Sequence, residues 1–415
     1  MATDPNAAKS YELVEWLVTR GLEGASEQEL LDGYCHKLLD LDVPLMRFHA
    51  AHPALHPAYG GTGYSWYTGR GGEFETFDYT ETPSEQWRQS PLYAILNEGL
   101  DEIRERMVDQ NTASRFPLLN DLREIGATEY YATGVSFDTH AGQERYEAHQ
   151  PINGVLLSWT TDSMDGFGED DMSLIKMALP HLGLALKSAS SATVARDLMR
   201  VYLGRDAGQR VLSGEIRRGS LQQIDAVIWN FDLEGFTGLS EELPGNEIID
   251  MLNDYLAVAV DVVHKFDGSI LKFMGDGLMA IFDVGEIDAD ARAALNAVAE
   301  LQNKMATLND QRAAKGQRVT NYTLALHAGE ILYGNIGAES RLDFTVIGPA
   351  VNQAARIAGM HRSLDQRILL SDDVARAAQP CAHDLVSVGR YMLRGVAEPK
   401  ELFTLYANGK PAGAG

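Results

Sequence analysis

Two segments decide how this chain is read: IDAVIWNFDLEGFTGLS at 224–240 and GSILKFMGDGLMAIF at 268–282. Each is an apolar, strand-like run that delivers one aspartate into tightly turning, glycine-containing backbone, Asp232 in the first and Asp276 in the second. Gly275 and Gly277 flank Asp276, and glycine supplies the positive φ that a tight hairpin turn needs. A lone aspartate beside glycine is most often only a turn former. Two of them, each after a β-rich run, with Lys272 four residues before the second, make a different pattern. Paired carboxylates presented this way suit divalent cations that hold a nucleotide triphosphate.

The rest of the composition bounds what such a site can serve. A chain of 415 residues has room for two or three domains with cores that need no stapling. With 45% apolar and 23% charged residues it has the profile of a globular protein. Lys+Arg 35 against Asp+Glu 59 gives a net charge of −24, which argues against nucleic acid or an anionic membrane as the main partner. A polyphosphate site must then be a local exception, built from metal ions and a few chosen cations. Cys35 and Cys381 are too few for a disulfide framework or a thiolate metal site. The opening MATDPNAAKSYELVEW lacks the build of a signal peptide, and no apolar run reaches membrane-spanning length. The expectation is a cytoplasmic protein.

A further block, FTVIGPAVNQAARI at 344–357, reads as a strand, a Gly-Pro break and a helix. Asn352 and Arg356, four residues apart, share one face of that helix, while Val351, Ala354 and Ala355 can pack. With FDLEGFTGLS and the Lys-x-x-Gly-Asp hairpin, residues 223–408 resemble the class III nucleotidyl cyclase catalytic domain, a ferredoxin-like α+β fold. The resemblance implies that Asp232, Asp276 and the main-chain carbonyl of Leu233 hold two Mg²⁺ or Mn²⁺ ions. It further implies that Asn352 orients the ribose and that Arg356 stabilises charge at the α-phosphate, a task suited to the two-pronged guanidinium. Arg394, in MLRGVAEP, stands where the family places a cation on the terminal phosphates, although an exposed hairpin arginine reads the same way.

Base choice follows from hydrogen bonding. Lys272 is donor-only and fits the N1 acceptor of adenine, and the Thr345 hydroxyl can accept from the N6 amine. Guanine-specific members carry an acid at the lysine position. Threonine at 345 resembles the adenylate cyclase subgroup often described as bicarbonate-responsive, and because it also donates, selection against GTP is less strict. The reading is an adenylate cyclase that converts ATP to 3′,5′-cyclic AMP and pyrophosphate. Its rivals are a guanylate or other nucleotidyl cyclase and an inactive nucleotide-binding module. Lys272 and Asp276 are separated by about 10 Å or more of strand. Family members meet this with a head-to-tail dimer, so the chain is expected to form a homodimer with two shared sites.

Ahead of this part the chain divides into a helical segment at 1–29, an α+β region at 30–187 and a helical coupler at 188–222, with a disordered tail at 409–415. LMRFHAAHPAL reads as a strand and GYSWYTGRGGEFETFDY as a hairpin. SPLYAILNEGLDEIRERMV reads as one helical stretch, and TNYTLALHAGE and ILYGNIG as two strands. Strand GVLLSWTTD precedes a helix whose first turn carries Glu169, Asp170 and Asp171. This alternation, closing on PHLGLAL, resembles a GAF-type sensor domain, which implies a small-molecule ligand of the N-terminal domain. In the coupler, a second short helix is expected to end at Arg217 and Arg218. His49, His52 and His56 read as packed or solvated histidines, His327 as core, and the glycines of GGTGYSWYTGRGG as a hairpin turn without a P-loop ending.

Overall fold

The computed structural model describes residues 5–80, 83–109, 112–137, 153–283, 285–380 and 383–406. The chain divides into two compact units, 1–198 and 199–415. Cys381 and the tail at 409–415 lie outside the described residues. Among the described residues no helix is long and apolar enough to cross a membrane.

The first unit is a six-stranded antiparallel sheet with helices on both faces. Its strands are β1 (Arg47–His56), β2 (Tyr59–Tyr67), β3 (Gly71–Phe77), β4 (Glu102–Arg106), β5 (Glu129–Ser136) and β6 (Gly154–Thr161), in the order β3-β2-β1-β6-β5-β4. Helices α1 (Pro5–Leu22), α2 (Glu27–Asp40) and α6 (Glu169–Leu203) cover one face. Leu13 and Leu17 of α1 enter the same core as Leu30, Tyr34 and Trp159, so the N-terminal helical segment packs into this unit. Ser26 and Glu29 close a capping box on α2. The short helices α3 (Glu85–Arg88), α4 (Pro91–Glu98) and α5 (Pro117–Glu124) contribute to a second core on the other face, with Tyr130, Ala132 and Leu156.

One stretch departs from the sequence reading here. SPLYAILNEGLDEIRERMV is not continuous helix: α4 stops at Gly99, whose φ of 67° is a left-handed cap, and Glu102–Arg106 pairs with β5. Ile103 and Met107 are buried while Arg104 and Arg106 are exposed, which is half of a strand alternation mistaken for a helical one. The coupler differs as well. Helix α6 runs on to Leu203, and after Gly204 the next helix, α7 (Arg205–Leu212), ends well before Arg217.

The second unit opens with β7 (Leu221–Leu233), α8 (Phe236–Glu242), α9 (Gly245–Lys265), β8 (Ser269–Met274), β9 (Gly277–Phe282), α10 (Ile287–Ala314) and β10 (Tyr322–Ala338). Strands β10-β7-β9-β8 lie side by side, all antiparallel, with α9 and α10 inserted in the chain as a ferredoxin-like β-α-β-β-α-β unit requires. Then come β11 (Arg341–Ile347), α11 (Pro349–Ala358), α12 (His361–Leu364), β12 (Ile368–Ser371), α13 (Asp372–Ala377) and the hairpin β13 (Asp384–Tyr391) and β14 (Lys400–Tyr406). They extend the sheet beyond β10 as β12-β14-β13, with β11 also paired to β10.

β10 is one strand where two were expected. It pairs with β7 without interruption from Tyr322 opposite Leu233 to Gly334 opposite Leu221, so Gly329 breaks nothing. Val227, Trp229, Phe231 and Leu233 bury one side of β7 against α9 and α10. Ala226 and Ile228 bury the other against Ala350 and Ala354 of α11. The two-residue alternation then sends Asn230 and Asp232 to the α11 side of the sheet.

Candidate active site

The strongest juxtaposition is between the two aspartates. Asp232, the last but one residue of β7, lies directly opposite Gly277, and Asp276 is the residue before that glycine, in the two-residue turn between β8 and β9. Gly275 takes the positive φ of that turn, 68°. Gly277 is needed for a separate reason: a Cβ there would sit 2.6 Å from Asp232 Oδ1 and closer still to the Phe231 carbonyl. Any larger residue would push the hairpin, and Asp276 with it, off the first acid.

Partial desolvation against the sheet and, after it, the negative charge of Asp276 push the Asp232 carboxyl up to about 6. Neither acid is ion-paired among the described residues, and no third His, Cys, Asp or Glu joins them. Such a repelling pair of hard oxygen donors fits a divalent cation of the Mg²⁺ or Mn²⁺ kind, with the main chain at Leu233 next to it. A recess of about 210 Å³ opens beside Asp232, lined also by Asn230, Met274, Thr323 and Ala358. The sequence reading did not single out Asn230 or Thr323. The signal for Asn230 was present in the alternation of WNFD, and Thr323 is the direct partner of Asp232 across the ladder.

A second juxtaposition joins Lys272 and Thr345. Lys272 stands on the edge strand β8, just past a bulge, and its Nζ donates to Thr345 Oγ1 at 3.3 Å. Thr345 is buried, so the threonine is fixed and the lysine comes to it. The third involves Arg356. Asn352 and Arg356 lie on α11, whose Ala350, Ala354 and Ile357 are buried; Asn352 is exposed and Arg356 half-buried. The Arg356 guanidinium lies against the turn at Gly395, where a Cβ would be 3.4 Å from its Nη2, and Arg394 is the exposed residue before that turn. Among the described residues Lys272, Arg356 and Arg394 have no acidic partner, in a chain of net charge −24. Three cations left unpaired amid such an excess of acid are suited to an anionic ligand.

The structure thus brings Asp232 to Asp276, Lys272 to Thr345, and Arg356 to the turn beside Arg394. Elsewhere the histidines follow the sequence reading. His49 bonds to Ser65 at 2.9 Å, His52 to Glu27 at 2.6 Å, and His56 stacks on Tyr59. His327 is buried against Ser371.

Comparison with known proteins bears on the same region. Residues 220–407 match the family described as the adenylate and guanylate cyclase catalytic domain. An adenylate cyclase of Anabaena cylindrica is 36% identical over 149 residues, 35% of this chain and 29% of that protein. The chain spans about a third of the length of the curated relatives it matches. Among solved structures, the adenylyl cyclase CyaB from P. aeruginosa is similar at 28% identity over 47% of this chain and 100% of that one, with a TM-score of 0.43. The guanylyl cyclase Cya2 is similar at 28% identity over 46% of this chain and 96% of its own, with a TM-score of 0.40. The family match coincides with the sheet that carries the acid pair, and it supports reading residues 220–407 as a class III adenylate/guanylate cyclase catalytic domain.

Proposed function

We propose that the chain is an adenylate cyclase, forming 3′,5′-cyclic AMP and pyrophosphate from ATP at a site shared between two copies. The observation that carries the substrate choice is the bond from Lys272 to Thr345. It sets an ammonium donor beside a hydroxyl that can accept, the complement of the N1 acceptor and N6 donor of adenine. An acid in place of Lys272 would present the reverse pattern.

The other residues take roles that their chemistry supports. Asn352, exposed on α11, orients the ribose by hydrogen bonding. Arg356 meets the α-phosphate with two parallel donors and stabilises the charge that grows there as the 3′-oxygen attacks. Arg394 takes the terminal phosphates. Asp232, Asp276 and the Leu233 carbonyl would hold two Mg²⁺ or Mn²⁺ ions, which supply an acidified 3′-hydroxyl and neutralisation of the triphosphate. No side chain of the site is placed as a general base, and the proton passes to solvent or substrate.

The homodimer is part of the proposal. Each chain forms its own acid pair and its own base-reading pair, and head-to-tail association would let one copy complete the other. The region at 30–187 is assigned as a GAF-like sensor that acts through the coupler at 188–222. A second reading, GTP as substrate, is favoured by one feature: the Thr345 hydroxyl can donate as well as accept. Turnover of ATP and GTP, measured side by side with Mn²⁺ and with Mg²⁺, decides between them. Cyclic AMP as the dominant product supports the proposal. Cyclic GMP in its place moves the chain to the second reading, and turnover of neither by the folded dimer rejects the enzyme.

A further inference from the structure

The middle of the first unit's sheet carries hydroxyl groups where a strand covered on both faces calls for hydrocarbon. All eight residues of β6, GVLLSWTT, are buried. Leu157 and Trp159 enter the core under α2 and α6, and Leu156 enters the core under α4 and α5. By alternation Ser158 and Thr160 point the same way as Leu156. Thr160 lies between Arg47 on β1 and Tyr130 on β5, and Ser158 lies between His49 and Ala132. Residues directly opposite one another across a ladder share a face. Arg47, Thr160 and Tyr130 therefore form one polar row, and His49 and Ser158 start a second beside it.

These groups are enclosed and short of partners. Arg47 is 6% exposed, Ser158 1%, and Thr160 and Tyr130 0%. Arg47 Nε donates to the Tyr67 hydroxyl at 3.1 Å and the guanidinium lies 5.6 Å from the centre of the Tyr67 ring, but among the described residues its Nη1 has no hydrogen-bond partner. Among the described residues the Thr160 hydroxyl has none either, and those of Tyr130 and Ser158 have only each other. Among the described residues no carboxylate pairs with Arg47. The acid in its cross-strand row is Glu105, opposite Tyr130 on β4. Three strand spacings, roughly 14 Å, separate the two backbones.

Unpartnered hydroxyls in a sealed core are costly, and an unpaired buried guanidinium more so. Water could satisfy the hydroxyls, but it brings no charge to offset the cation. A carboxylate or phosphate does both, because two of its oxygens match the guanidinium fork and the remaining atoms meet donors and acceptors in the row. We propose that this buried face of the first unit binds a small organic oxyanion, held by Arg47 and by the hydroxyls of Tyr130, Ser158 and Thr160. The inference is independent of the substrate assigned to the catalytic domain.

The test uses the full chain. Thermal unfolding is followed while inorganic phosphate, acetate, succinate and glutamate are titrated in turn, with sodium chloride at matched ionic strength as the control. At least one oxyanion is expected to raise the transition saturably, by roughly 5 °C at about a hundred times its Kd. The response should vanish in Arg47→Met and persist in Arg356→Ala, which separates this site from the catalytic domain. Thr160→Val keeps shape while deleting one hydroxyl, and should weaken the same anion by about tenfold. A saturable effect of phosphate or of a carboxylate supports the proposal and identifies which of the two it is. No effect beyond that of chloride, leaving ordered water as the occupant, overturns it, as does an undiminished response in Arg47→Met or, should that variant not fold, an unchanged affinity in Thr160→Val.

Discussion

The two sheets of this protein place their polar groups in opposite ways. In the catalytic domain Asp232 and Asp276 stand where strands end and a hairpin turns, open to a recess and to solvent. In the first unit Arg47, Ser158, Thr160 and Tyr130 are buried on one face of the sheet, Arg47 at the start of β1 and Thr160 and Tyr130 one residue in from a strand end. Groups at a turn can repel one another and wait for a counter-ion from outside, since solvent shares the cost. Buried groups have little solvent to share it, so what they lack must be supplied by something enclosed with them.

This comparison can be broken most sharply at the acid pair. Asp232→Ala is expected to lower cyclic nucleotide formation by about a thousandfold or more while the thermal transition stays or rises, because the variant removes an acid held at raised pKa. Retained activity, measured with Mn²⁺ in excess, would detach the metal role from the turn. Gly277→Ala tests whether the close approach matters. The added methyl meets the Phe231 carbonyl and Asp232 Oδ1, so activity should fall by about a hundredfold and stability by about 1–3 kcal/mol in urea titration. Near-normal turnover would mean that the hairpin position is not critical.

A smaller effect is expected at base selection. Thr345→Val keeps volume but removes the hydroxyl that Lys272 contacts. The ratio of kcat/KM for ATP over GTP should fall by about tenfold, corresponding to about 1.4 kcal/mol. An unchanged ratio would take Thr345 out of base reading.

A further effect, on stability and not on turnover, belongs to the buried face of the first unit. Burial, and then the charge of Arg47, lower the His49 imidazole from 6.5 to about 3. A histidine kept neutral in the fold contributes its stability in full above pH 6.5 and loses it as pH falls from there towards 3. Between pH 7 and pH 5 this amounts to about 2 kcal/mol or less in urea unfolding, and His49→Gln should flatten that part of the profile. The same slope in the variant would show that His49 does not carry it.

How much could be read from the sequence follows the same division. Asp232, Asp276, Lys272, Asn352 and Arg356 can be singled out from sequence because each sits in a short segment whose turn glycines and helical spacing are local facts. The juxtaposition of Asp232 with Asp276 also followed from the strand-turn pattern. The polar row was not legible, since Arg47, Tyr130 and Thr160 are far apart in the chain and only the antiparallel register sets them side by side. Glu102–Arg106 reads as helix because five residues give too few periods to tell a strand from the end of a helix, although Gly99 ends the helix before it. The length of β10 escaped because Gly329, which looks like a stop, is tolerated inside a strand paired along its whole length.

The central claim is that an acid pair from one copy and a lysine, asparagine and arginine from another meet around a single ATP. Mixing Lys272→Ala with Asp276→Ala tests it most directly. Each variant alone should be nearly inactive. In an equimolar mixture half of the dimers are mixed, and in each of these one site carries both lesions and the other none, so about a quarter of wild-type turnover should return. Absence of any recovery, with mixed dimers verified by mass, would contradict a shared site.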